Sequence, residues 1–207
     1  MKNRLIICVS ILCVIGFSIL SCKKDDKKTK PEFSLEQPDQ ISDENYKIYS
    51  LVIEEKYSSE KIVIAQHSKS NVDLNYENQT YDYLIESCQN FDTSLVQIHI
   101  DLNKSMVNFG EQFHSETHEI ILISSAELSY IFDSQDLNGN WEEFHNDYEN
   151  SHGFIKFSRI AFNEDKTQAI FEIDNSYGSL GGDGSIVYLE KHEDVWTIIK
   201  VIMTWIS

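Results

Sequence analysis

After Cys22 the chain has one cysteine, Cys88, and one arginine, Arg159; its two prolines, Pro31 and Pro38, stand close to its beginning. A single thiol excludes an intramolecular disulfide and any zinc site built on cysteine pairs. Basic residues are scarce too. The first 30 residues hold seven of the 17 basic residues and two of the 34 acidic ones, which leaves 10 against 32 from Pro31 onward, a net charge of −22. Such a surface repels phosphate backbones and excludes nucleic acid as a partner. The motifs of several enzyme classes are missing as well. No Gly-x-Ser-x-Gly elbow, no Gly-rich loop ending in Lys-Ser/Thr and no His-Glu-x-x-His occurs. About 175 residues without repeats or low-complexity blocks are enough for one domain with a sizeable core.

The start of the chain is its most specific feature. Lys2 and Arg4 precede an apolar run over residues 5–20, at the short end of the ~20 residues a spanning helix needs. Basic, then apolar, then small is the order of a signal peptide. Ile19-Leu20-Ser21-Cys22 resembles the bacterial lipobox, with a branched apolar residue three before the cysteine and a small one just before it. The resemblance implies cleavage after Ser21, diacylglycerol on the Cys22 thiol, and a cell-envelope address with the membrane as partner. Two or more acyl chains, palmitate among them, anchor stably where one does not. Residues 1–21 are therefore expected to be a lipoprotein signal peptide and 22–41 a lipidated, disordered tether, opened by Lys23-Lys24-Asp25-Asp26-Lys27-Lys28. That Lys-Lys-Asp-Asp stretch resembles surface-export signals of Bacteroidota lipoproteins. The resemblance implies outer-membrane attachment, on the periplasmic face or the cell surface; a solvated spacer explains the same letters.

Residues 42–207 are expected to form a single α+β domain, with a mainly helical N-terminal half packed on a predominantly antiparallel sheet that ends in a four-strand meander. Asp43 opens a helix over Tyr46, Tyr49, Val52, Ile53 and Tyr57. Residues 61–66 and 119–123 are β-branched runs, hence strands. Helices are expected around Tyr81, Leu84, Ile85 and Cys88, after Asp92 over Leu95 to Leu102, after Ser124 with Glu127 completing a capping box, and over residues 141–148. Strands over residues 153–162, 167–174, 185–191 and 195–206 follow, with Gly178 to Gly184 as a long connecting loop of permissive glycines. Trp196, Ile198, Val201, Ile202 and Trp205 place apolar residues on both faces of the last strand, which predicts a central position.

Phe157-Ser158-Arg159-Ile160-Ala161-Phe162-Asn163, the Gly-rich loop, Tyr188-Leu189-Glu190-Lys191, Trp196 and Trp205-Ile206-Ser207 resemble a group of Bacteroidota lipoproteins and secreted proteins for which no activity is known. The resemblance covers roughly residues 119–207. Many members carry a cysteine pair where this chain has Tyr177 and Gly181, so it implies no thiol role here.

The candidates for chemistry are few. His114, Glu116 and His118 share one face of a strand and could ligate zinc, or could be a solvated loop. Asp136-Leu137-Asn138-Gly139 resembles part of an EF-hand loop, but Ser134 and His145 stand where its first and last carboxylates belong, and a turn explains the same letters. Cys88 reads as a core filler. Arg159 should pair across strands with Glu172 or Asp174. The expected protein has no catalytic, cofactor or metal residue and one modified residue, Cys22. It is a membrane-anchored envelope module that binds a protein partner or serves structure. The alternative is an envelope enzyme using carboxylates or a metal.

If Cys22 carries the anchor, Cys22→Ser will leave the membrane fraction or accumulate as an unprocessed precursor. Detergent partition and mass spectrometry read the outcome, and normal processing with membrane retention would exclude the lipid anchor.

Overall fold

A computed structural model of the chain describes residues 30–70, 77–132 and 140–207. The chain divides into Met1–Glu32 and Phe33–Ser207, and the second unit holds the fold. It is α+β. Among the described residues its elements run α1 (Asp43–Lys56), β1 (Lys61–Ala65), α2 (Glu77–Ser87), α3 (Ser94–Leu102), β2 (Glu119–Ile123), α4 (Ser125–Phe132), α5 (Trp141–Asp147), β3 (Ser151–Phe157), β4 (Ala161–Phe162), β5 (Gln168–Gly178), β6 (Gly181–His192) and β7 (Val195–Ile206). The strands form one sheet in the order β2-β1-β3-β5-β6-β7, with the short β4 beside β5. β1 is parallel to β2 and β3, and every other pairing is antiparallel. The helices are thus not gathered ahead of the sheet; they alternate with β1 and β2 and cover both of its faces.

Strand alternation sorts the core into layers. Ile62, Ile64, Ile155, Phe157, Ala169, Phe171, Ile173, Val187 and Leu189 point to one face and meet Tyr46, Tyr49, Val52 and Ile53 of α1. Tyr49 is the hub. Its ring lies 4.6 Å from Phe157 and 5.2 Å from Phe171, and its hydroxyl donates to the Ser158 carbonyl at 2.7 Å. Two separate helix pairs cover the opposite face. α2 and α3 bring Tyr81, Leu84 and Leu95 onto Ile170, Ile186 and Tyr188. α4 and α5 bring Ile131 and Phe144 onto Val63 and Ile123. Between these pairs the same face carries the cross-strand partners Phe154 and Ser176, and Lys156 and Asp174.

Several expectations change. Residues 33–41, assigned to a disordered tether, lie extended along the domain. The Glu36 amide donates to Gln66 Oε1 at 2.8 Å, Gln66 Nε2 returns a bond to the Glu36 carbonyl at 2.7 Å, and the Asp39 amide reaches the Asn108 carbonyl at 2.9 Å. The Gln66 side chain and the Asn108 backbone hold this stretch although it has no helical or strand period. The cap of α1 is Ser42, whose hydroxyl accepts from the Asn45 amide, and Asp43 is the first helical residue. The strand expected over residues 153–162 breaks at Ser158, Arg159 and Ile160 into β3 and β4.

The glycine-rich stretch is not a long loop. β5 and β6 stay paired to Gly178 and Gly181, and only Ser179 and Leu180 turn between them. Nor do its glycines serve positive φ, which among the described glycines occurs at Gly153 alone. They make room. A Cβ on Gly184 would stand 2.0 Å from Trp205 Nε1, one on Gly182 2.8 Å from the same indole, and one on Gly181 2.8 Å from the Tyr177 ring. The Tyr177 ring therefore lies over Gly181.

β7 is an edge strand rather than a central one, with β6 as its single neighbour. Its two apolar faces have another cause. Trp196 and Ile198 reach the α1 layer and Ile202 reaches the α2–α3 layer, so helices overhang the edge on both sides. Register shifts beside Ile199 and Thr204 interrupt the ladder. Met203 and Ile206 remain 59% and 69% exposed.

Gly184→Ala should drive a methyl into the Trp205 indole and destabilise the domain by about 1–3 kcal/mol, the usual cost of overpacking. Trp205→Ala in the same chain should recover part of that loss. Thermal unfolding of the two single variants and the double variant measures the coupling, and additive effects would refute the fit.

Candidate functional site

The strip of sheet between the two helix pairs holds the protein's charged interior. The segment after β1 crosses onto it, its path fixed by the Lys69 amide donating to the Phe157 carbonyl at 2.8 Å. The Lys69 side chain is then only 3% exposed, with its ammonium 2.7 Å from Glu172 Oε2 and 2.7 Å from Asp174 Oδ2. Trp205 Nε1 donates to the other oxygen of Asp174 at 3.2 Å. Burial alone would pull the Lys69 ammonium down, but the two carboxylates outweigh it and hold it above the ordinary lysine value.

A second buried line runs from the break in β3. Ser158, fully buried, accepts the Glu172 amide on Oγ at 2.7 Å and lies 3.0 Å from His99 Nε2. The other ring nitrogen, Nδ1, lies 2.7 Å from the Tyr81 hydroxyl. Burial, and secondarily the charge of Lys69, lower the His99 pKa to about 3, so the imidazole is neutral. A neutral ring with one proton satisfies both contacts in either tautomer. Serine beside histidine has the composition of a hydrolytic pair, but both side chains are sealed and no substrate carbonyl could reach Ser158 Oγ. The pair instead closes the polar groups exposed by the strand break.

An open cleft of about 520 Å³ lies on the same face, between the sheet and α4–α5. Leu128, Phe132, Trp141 and Phe154 are apolar residues of its lining, and His67, Lys156, Ser129 and Ser176 polar ones. Trp141 and Phe154 are nearly parallel, at 14° and 5.9 Å, and Phe132 closes the corner 4.8 Å from Trp141. His67 Nδ1 lies 2.8 Å from Ser125 Oγ at the first turn of α4. Burial first, and then the neighbouring Lys156 ammonium, hold the His67 pKa below the usual histidine value. The cleft therefore combines an aromatic cluster with a lysine and an imidazole whose pKa is held low.

The residues singled out in the sequence are elsewhere. Cys22 and Asp136 to Gly139 lie outside the described residues, so the anchor and the EF-hand-like loop have no structural description. The stretch from His114 to His118 wraps the flank of α1. Glu54 there accepts from the Ser115 hydroxyl, the Glu116 amide at 2.7 Å and the Thr117 hydroxyl at 2.6 Å. His118 Nδ1 bonds the Ser59 carbonyl at 2.6 Å, and the His114 amide donates to Ser50 Oγ. Among the described residues no three His, Cys, Asp or Glu side chains are placed to share a metal ion. Arg159 does not pair with Glu172 or Asp174. It stands in the break between β3 and β4, where its Nη1 caps α3 through the Leu102 carbonyl at 3.0 Å. Lys69 holds the two carboxylates instead. Cys88 is half-buried and packs on the α2–α3 cluster. Lys69, His67 and Lys156 carried no motif. The one signal was alternation, which set Glu172 and Asp174 on a face shared with the buried Ile170.

No protein-family model, no curated protein and no solved structure significantly matches the chain.

The buried histidine makes stability depend on pH. Its folded pKa of about 3 lies below the ~6.5 of an unfolded chain, so its contribution is complete above pH ~6.5 and is lost as pH falls, at about 1.4 kcal/mol per unit. The melting temperature should drop between about pH 6.5 and 5, above the carboxylate range. His99→Gln should be less stable at neutral pH but flatter across that window. Parallel wild-type and variant profiles would refute the assignment.

Proposed function

We propose that the chain is a lipid-anchored envelope protein, attached to the membrane through Cys22, whose domain acts as a binding module with the aromatic cleft as its ligand site. The leader and the lipobox resemblance support the anchor. One observation supports binding over catalysis. His99, Ser158, Lys69 and Glu172 are buried against one another, out of a substrate's reach, whereas the open cleft offers stacking surface and a few polar groups. Concave aromatic sites with sparse, placed polar groups are the common form of small-molecule sites, and about 520 Å³ falls within their usual range. The alternative of an envelope enzyme would need acid and base groups converging where a substrate can reach. Among the described cleft residues the titratable ones are His67 and Lys156.

The test is stabilisation by ligand. Thermal unfolding against the small-molecule fraction of the envelope should show a raised midpoint for the wild type and none for Trp141→Ala. Equal stabilisation of both, or of neither, would refute the cleft as the site. Chemical conversion of the stabilising molecule during the assay would favour the enzyme.

A further inference from the structure

A smaller pocket, of about 170 Å³, is lined by the start of α1, the end of α3 and the break between β3 and β4. We infer that it is a second binding site, separate from the aromatic cleft, and that it takes a short aliphatic carboxylate, with the acid group on Arg159.

Arg159 supplies the charge. From Pro31 onward carboxylates outnumber basic residues 32 to 10, yet among the described residues none pairs with this guanidinium. Its Nη1 donates to the Leu102 carbonyl at 3.0 Å and to Ser105 Oγ at 3.4 Å, which leaves Nε and Nη2 without an acceptor among the described residues. That edge of the fork is one that binds a carboxylate through two parallel bonds. The flanking acids do not compete. Glu44 is held by Lys191 and Trp196, Asp101 by Lys104, and the exposed Asp43 is not a lining residue. The arginine is also fixed in place, since its amide donates to Asn103 Oδ1 at 2.7 Å while Nη1 holds the end of α3, so little ordering is left to binding. A further donor comes from Asn45. Its Oδ1 accepts from the Ser42 hydroxyl at 2.5 Å, and its Nδ2 has no acceptor among the described residues.

The rest of the lining sets the body of the ligand. Ile41, Val107, Phe109, Ile160 and Phe162 belong to the core on the α1 side of the sheet. A phosphate or sulfate would press unpaired oxygens against these side chains, which is costly, whereas an aliphatic chain gains by burial there. An amine would meet the guanidinium as a like charge. The volume limits length: at the ~30 Å³ that one water occupies, there is room for about six heavy atoms, the size of butyrate.

Calorimetry on the full chain in lipid nanodiscs, with empty nanodiscs subtracted, compares butyrate with its neutral isostere butyramide and with the bulkier benzoate. Butyrate should bind one-to-one, and butyramide about tenfold more weakly, as when a charge-assisted pair is lost. Benzoate should also be weaker. Arg159→Gln should remove the preference for the acid. Asn45→Asp keeps the acceptor for Ser42, leaves the α3 cap untouched and places a like charge in the pocket, so it should abolish butyrate binding even if the arginine variant fails to fold. Absence of saturable butyrate binding, equal affinity for acid and amide, benzoate as tight as butyrate, or butyrate binding that survives Asn45→Asp would each overturn the assignment. Loss of butyrate in Trp141→Ala but not in the two pocket variants would place the acid in the aromatic cleft and overturn it as well.

Discussion

Lys69 is the constraint on which the middle of the molecule depends. A buried ammonium is tolerated only with its charge matched and its donors used. Glu172 and Asp174 stand on alternate positions of β5, so both reach the same face, and the segment after β1 must pass over β3 to bring Lys69 to them. That path is secured by the Lys69 amide on the Phe157 carbonyl, at the residue where β3 stops. Removing one member of such a group would strand buried charge, at about 3–5 kcal/mol. The ion cluster thus ties together the end of β3, the centre of β5 and the β7 indole that holds the second oxygen of Asp174.

The break in β3 follows from the same crowding. Ser158 uses its backbone amide on the Glu172 carbonyl and its hydroxyl on the Glu172 amide, which turns the chain out of the ladder. His99 and Tyr81 continue that line into α3 and α2 and bond the helices to the sheet through a polar seam inside an apolar layer. Arg159, the next residue, is thrown outward, where it caps α3. The Phe157 to Asn163 block therefore reads as a set of structural pins. Asn163 Oδ1 ends the block by accepting the Thr167 and Gln168 amides across the β4–β5 turn.

The sequence showed what has a period or a cap. All five helices among the described residues and most strands could be placed from apolar spacing or caps, and Ser124 caps α4 where the letters put it, its Oγ accepting from the Glu127 amide. Lateral order was not legible. The two-faced apolarity of β7 reports cover above and below, which overhanging helices supply to an edge strand as well as to a central one. The glycines were read through their φ freedom, whereas their use is steric, as room for Trp205 and Tyr177, and a ring lying across a strand leaves no local trace. The site failed for a related reason. Lys69, His67 and Lys156 come together only through the parallel pairing of β1 with β3, a contact between residues about 90 apart that no motif encodes.

The contrast between the sealed and the open polar groups bears most on function. Inside a protein a charge cluster is strong when complete and costly when not, so Lys69, Glu172 and Asp174 contribute shape and rigidity but little that a ligand could compete for. The cleft beside them inherits that rigidity. Phe154 and Lys156 stand on β3, and Ser176 stands on β5 two residues beyond Asp174, so its floor is fixed by strands that the buried ions brace. Its walls come from the short helices α4 and α5, which contribute Phe132 and Trp141. A rigid floor under aromatic walls carries little ordering cost on binding, since the floor groups are already in position. That division of labour, charge spent on holding the sheet and aromatic surface left to the solvent side, is the physical ground on which the proposed binding reading rests.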